Sequence, residues 1–183
     1  PESSQPLLTA LSDIEMRPCW AVMLKVKGMP HVDFGGAFVD NSPLSWIALD
    51  SSKPGRSNRD GSQNWVLHGQ WQWSAQNVEA SRSEVETALT AAFESATGIK
   101  IHDEQIISRV AHLWRFAIPT HAHVTAPDHY FDAESGLGLC GDWCVSGRVE
   151  GACLSGMGLA GAVLRQLTLG QTSNKIATEF QFA

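Results

Sequence analysis

The sequence predicts an α+β fold, a mainly antiparallel sheet with packed helices, closed at the C-terminal end by a strand, a turn and a helix. Three observations carry this expectation. Aromatic or β-branched runs at Cys19 to Lys27, Trp46 to Asp50 and Trp65 to Gln70 are separated by polar segments rich in turn residues. A capped helical pattern follows at Ser81 to Thr97. The last third then becomes glycine-rich and charge-poor, with helical periodicity to about Leu169.

In chain order, Cys19 to Lys27 (CWAVMLKVK) alternates apolar and charged residues near its end, which predicts a half-buried strand. Trp46 to Asp50 (WIALD) and Trp65 to Gln70 (WVLHGQ) are joined by the polar loop SSKPGRSNRDGS, so an antiparallel pairing of the two is expected. On Ser81 to Thr97, Val85, Leu89, Ala92 and Phe93 share one face, Ser81 and Glu84 form a capping box, and Gly98 ends the helix. Gln105 to Ile118 is rich in branched and aromatic residues and reads as a long strand stopped by Pro119. Leu137 to Trp143 has the pattern of a buried strand. A turn through Ser146 and Gly147 leads into the final helix, where Val149, Ala152, Cys153, Gly156, Ala160, Val163, Leu164 and Leu167 keep the period.

Composition narrows the function. The chain has 183 residues, 43% hydrophobic and 17% charged, enough to bury one good core and too apolar for disorder. A net charge of −6 with scattered basic residues argues against a nucleic acid partner. No apolar run is read as approaching the roughly 20 residues that span a bilayer, and the opening PESSQPLL lacks signal-peptide character, so no membrane partner and a cytoplasmic location are expected. The chain begins at Pro1 without a methionine, from which an upstream segment is expected. Cys19, Cys140, Cys144 and Cys153 are read as reduced thiols packed as small hydrophobes. No metal site is expected: CxxxC at Cys140 and Cys144 lacks a partner pair, and His121, His123, Asp128 and His129 lack zinc-ligand spacing. Ser155 lacks the G-x-S-x-G elbow of a hydrolase.

Gly136 to Gly141 (GLGLCG) and Gly156 to Gly161 (GMGLAG) both fit G-x-G-x-x-G. A dinucleotide fingerprint must lie between a strand and the helix it opens. The first match falls inside a strand and the second inside a helix, so neither is read as one. More promising is Gly141 and Asp142 at the strand end, followed by Gly147, Arg148, Val149 and Glu150 at the helix start. A helix N-terminus offers free N–H groups and a positive dipole end to an anionic ligand, and an aspartate can accept hydrogen bonds from hydroxyls. A purely structural role, glycines for packing and Asp142 for capping, fits these residues equally.

The run LCGDWCVSGRVEGACLSGMGLAGAVL resembles the C-terminal FAD-contacting segment of the flavin-containing amine oxidases, in particular the renalase-like NAD(P)/FAD-dependent oxidoreductases. Further resemblance lies in PCWAVML, WIALDSSKPGR, NWVLHGQWQWS and AHLWRFAIP, in the family's order, and in the opening ESSQPLL. It covers nearly the whole chain. The resemblance implies a substrate-binding domain over residues 1–134 and, over 135–183, the last strand and helix of an FAD-binding domain whose N-terminal Rossmann part lies elsewhere. It implies FAD as cofactor, contacted by Gly141, Asp142, Gly147, Arg148 and Val149, with Asp142 on the ribityl chain. Hydride transfer from an amine or a reduced nicotinamide-like substrate is the implied reaction. On the substrate side the strands are expected to carry Trp46, Trp71, Trp73 and Trp114 toward the flavin, with Lys53 and Arg56 meeting the flavin edge, an acidic substrate group or only solvent. The family's N-terminal fingerprint is absent in usable context, so a dinucleotide-binding half in cis or in trans is the expected partner, beside a small-molecule substrate. The alternative is a catalytically silent binding module.

Overall fold

A computed structural model describes residues 4–12, 14–56, 60–120 and 127–179, the last ten for their backbone only. The chain divides into two compact units, one of Met16–Ala117 and one of Pro1–Glu15 with Ile118–Ala183.

The first unit is a five-stranded sheet with helices. Strands β1 (Met16–Val26), β2 (Gly36–Phe38), β3 (Leu44–Leu49), β4 (Gln63–Gly69) and β5 (Ile106–Pro119) lie in the order β2-β3-β4-β1-β5. The expected antiparallel pairing of β3 with β4 is present, with Ile47 opposite Leu67 and Leu49 opposite Trp65. Side chains alternate across a strand, so this register sorts the sheet into two faces. Val22, Leu24, Ile47, Leu49, Trp65 and Leu67 face the core. On the other face Trp46 and Ala21 both stand opposite His68, Met23 opposite Val66, and Lys25 opposite Asn64.

The core face is covered by α3 (Arg82–Thr97), which forms for the reasons read from its sequence. Ser81 Oγ accepts from the Glu84 N–H, the Glu84 carboxylate accepts from the Ser81 N–H, and Gly98 takes the left-handed C-cap at φ 71°. Val85, Leu89, Ala92 and Phe93 are buried, and Phe93 meets Trp65 edge to face at 4.9 Å. Burying four such side chains is what holds a helix of modest propensity on the sheet.

Between β4 and α3 lies the short helix α2 (Trp71–Gln76), where strand was expected to carry Trp71 and Trp73. Gln70 caps it, accepting from the Gln72 N–H, and Ser74 Oγ accepts from the Trp20 N–H at 3.1 Å. That hydrogen bond is non-local, so propensity could not reveal it.

The other unit holds α1 (Gln5–Ser12), the hairpin β6 (Tyr130–Asp132) with β7 (Leu137–Leu139), and α4 (Val149–Glu179). Helix α1, with Leu7 buried, was not expected from the sequence. The expected buried strand from Leu137 to Trp143 is corrected: three residues pair, and Leu137 and Gly138 are exposed. A 3-10 turn over Asp142–Cys144 replaces the rest, because the Gly141 N–H turns to Ser155 Oγ. Helix α4 runs beyond Leu169, since only Gly170 and no proline stands in its way. All four cysteines are free. Cys19 and Cys144 are buried as expected, whereas Cys140 and Cys153 are exposed.

Candidate functional site

Two surfaces carry the residues singled out from the sequence, one in each unit. The first is the open face of the five-stranded sheet. Trp46 and Trp114 both lie on it. Trp46 packs edge to face on Phe38, its partner on β2, at 4.7 Å. Its ring lies over Gly36, where a Cβ would stand 2.5 Å from ring carbon Cζ2, so glycine is required there for close approach. Trp114 meets His112 at 4.6 Å and is 58% exposed. Two grooves share Met23 and Val110: one of 390 Å³ also lined by Lys25, Asn64, Val66 and Ser108, the other of 330 Å³ by Ala21, His112, Trp114 and Arg82. These are concave, mainly apolar surfaces with few polar groups, the usual make-up of a small-molecule site.

Trp71 and Trp73 stand on α2 and not on a strand of the sheet. Trp71 holds the Arg17 guanidinium over its ring at 3.9 Å, and Trp73 packs against the core. Lys53 and Arg56 are not free cations either. Pro54 and Gly55 (φ 77°) turn the chain so that both side chains reach Asp50 Oδ1, at 2.9 and 2.6 Å. The Lys53 hydrogen bond, reinforced by the charges of Lys53 and Arg56, holds the Asp50 carboxyl below the ordinary range. Two cations against one carboxylate leave one positive charge at the rim. His68 is a site residue that the sequence reading did not single out. It stands between Trp46 and Ala21, and burial, then the charge of Lys53, pushes its pKa down from 6.5, which favours the neutral imidazole. Its place in the alternation of β4 was the signal available.

The second surface is the turn into α4. The Asp142 carbonyl accepts from the N–H groups of Val145, Ser146 and Gly147 at 3.1, 3.0 and 2.9 Å, which closes the turn on Asp142. Gly147 takes φ 64° against the Pro119 ring. The Asp142 carboxylate accepts the Trp143 N–H with Oδ1 and has no cationic partner among the described residues. Acceptor capacity for a ligand hydroxyl therefore remains. Arg148 and Val149 are exposed at the start of α4, Val149 at 89%, and no side chain among the described residues caps its first turn. An open, uncapped helix start beside a half-buried carboxylate can meet a ligand that carries both hydroxyls and negative charge. Gly141 itself is filled from within, a Cβ there meeting the Trp143 indole at 2.5 Å.

Neither glycine run is a fingerprint in the structure: Gly136 to Gly141 passes through the hairpin, and Gly156 to Gly161 lies within α4. His121 and His123 lie outside the described residues, while Asp128 and His129 pair with each other at 2.6 Å. The expectation that no apolar run approaches bilayer length is overturned. By length and composition Val149–Leu169 of α4 is long and apolar enough to cross a membrane. Its glycines and alanines add to apolarity without forming an obvious hydrophobic block. Gly151 and Ser155 on it are buried, while Leu154, Met157, Leu164 and Leu167 are exposed.

No family model matches the chain. Among solved structures it is similar to a protein from Exiguobacterium sp. 255-15 assigned as a protoporphyrinogen oxidase, with a TM-score of 0.53 and 12% identity over 62% of this chain and 26% of that one. A structure of reduced UDP-galactopyranose mutase matches with a TM-score of 0.48 and 12% identity over 61% and 24%, and no argument rests on it. The chain thus spans about a quarter of the solved proteins it matches. At this identity the first likeness is one of fold.

Proposed function

We propose that this chain is part of an FAD-dependent oxidoreductase, residues 1–134 supplying the substrate domain and 135–183 the last flavin-contacting segment. A dinucleotide-binding half, in cis or in trans, completes it. The observation that carries the reading is Asp142, a half-buried carboxylate with spare acceptor capacity, at the turn that opens the uncapped start of α4. Support also comes from the resemblance of the LCGDW to GAVL run to the amine oxidase segment, and from a fold shared with a protein assigned as an oxidase.

FAD, when bound, supplies the hydride-accepting chemistry. Asp142 accepts hydrogen bonds from cofactor hydroxyls, Gly141 and Gly147 shape the turn, and the backbone at Arg148 and Val149 presents the positive end of α4 to negative charge. The open sheet face, with Trp46 and Trp114, walls the substrate, an amine or a reduced nicotinamide-like compound. Lys53 and Arg56 contribute one net positive charge at its rim.

The test is flavin binding by the complete protein, or by this chain supplied with its dinucleotide-binding half, followed by flavin absorbance and fluorescence quenching. Asp142→Ala should weaken FAD binding by roughly tenfold to a hundredfold, the worth of a hydrogen bond to a charged acceptor. If the assembled protein takes up no flavin, the reading fails and the silent binding module takes its place. If flavin binds but Asp142→Ala changes nothing, the role of Asp142 fails alone.

A further inference from the structure

Ser155 is the one buried serine of α4 among the described residues, at 0% exposure, and its hydroxyl is spent on the turn fourteen residues upstream. Oγ accepts from the Gly141 N–H at 3.0 Å. Strand β7 has ended at Leu139, so this half-buried N–H has no ladder acceptor and takes Ser155 Oγ as its partner. Burial pushes the neighbouring Cys144 thiol's pKa up, and Ser155 offsets part of that rise. A steric contact acts beside the polar one. Gly151 lies one turn earlier on α4, and a Cβ there would meet Ser146 Oγ at 2.6 Å and the Ser146 nitrogen at 3.1 Å. The turn therefore rests directly on the helix backbone. Asp142, whose carbonyl closes the turn, follows Gly141 in the chain and moves with it.

We propose that Ser155 is a positioning residue: its buried hydroxyl fixes the Gly141–Asp142 corner to α4, and so sets the direction in which Asp142 meets the ligand. This rests on the flavin reading of the turn. It adds a specific dependence of cofactor affinity on a hydroxyl that touches no cofactor atom.

The structure supplies a matched control. Ser74 is also at 0% exposure, and its Oγ also accepts a backbone N–H, that of Trp20 at 3.1 Å, but it lies in the sheet unit. Ser74→Ala and Ser155→Ala remove the same kind of hydrogen bond from the same depth. In the complete flavoprotein both should lower the melting temperature. Only Ser155→Ala should raise the Kd for FAD, by about tenfold, and alter the visible circular dichroism of the bound flavin. Equal effects of the two variants on Kd, or no effect of Ser155→Ala, overturn the proposal. If Ser155→Ala does not fold, Ser155→Thr carries the test. Retention of wild-type affinity is expected because the hydroxyl is kept, and a tenfold loss in a folded Ser155→Thr protein overturns it. A wild-type protein that binds no FAD instead marks failure of the flavin reading itself.

Discussion

Gly36→Ala tests the construction of the open sheet face. A methyl at position 36 would stand 2.5 Å from Trp46 Cζ2, 2.8 Å from Cη2 and 3.1 Å from the Ile47 carbonyl oxygen. Contacts this short cannot persist, and the Ile47 carbonyl belongs to the β2–β3 ladder and has little freedom. The indole must therefore swing away, surrendering its edge-to-face contact with Phe38, a contact worth about 0.5–1.5 kcal/mol. Overpacking costs typically ~1–3 kcal/mol, and because Trp46 is only half-buried the ring can yield, which places this variant near ~1 kcal/mol. Urea unfolding of Gly36→Ala, Trp46→Leu and the double variant gives the coupling directly. In the Trp46→Leu background the cost of the methyl should largely vanish. A full cost persisting there, or no cost in the wild-type background, would refute the steric account. Ligands that use the Trp46 shelf should also lose affinity in Gly36→Ala.

Other outcomes follow from burial and charge. Phe93→Ala removes a fully buried ring packed on Trp65 and should cost about 3–5 kcal/mol in urea or thermal unfolding, and a loss under 1 kcal/mol would contradict its place in the core. The pKa of His68 is lowered by burial, so as pH falls through its ordinary value of 6.5 the unfolded chain takes up a proton before the native chain does. Stability should be full above that value and decline as pH falls below it toward the lower native pKa. His68→Gln should flatten that part of the profile, and an unchanged slope would show that another group sets it.

Much of the fold is legible in local sequence. The capping box and glycine stop of α3, the alternation in β1 and the long run of β5 are each decided by residues a few positions apart. Side-chain contacts are less legible. The strand read as Trp65 to Gln70 is followed at once by α2, which carries Trp71 and Trp73 and which Ser74 ties to Trp20, 54 positions away. Lys53 and Arg56, expected to meet the flavin edge, an acidic substrate group or only solvent, are both folded onto Asp50 by the Pro54-Gly55 turn.

By itself the sequence determined an antiparallel α+β fold and a turn through Ser146 and Gly147 before the final helix, because periodicity, capping and turn chemistry are local. Tertiary structure alone decided which tryptophans share the open face, that His68 stands among them, that α4 exposes its leucines, and that Ser155 holds Gly141. Register and non-local hydrogen bonds set those relations, and they depend on how distant segments meet.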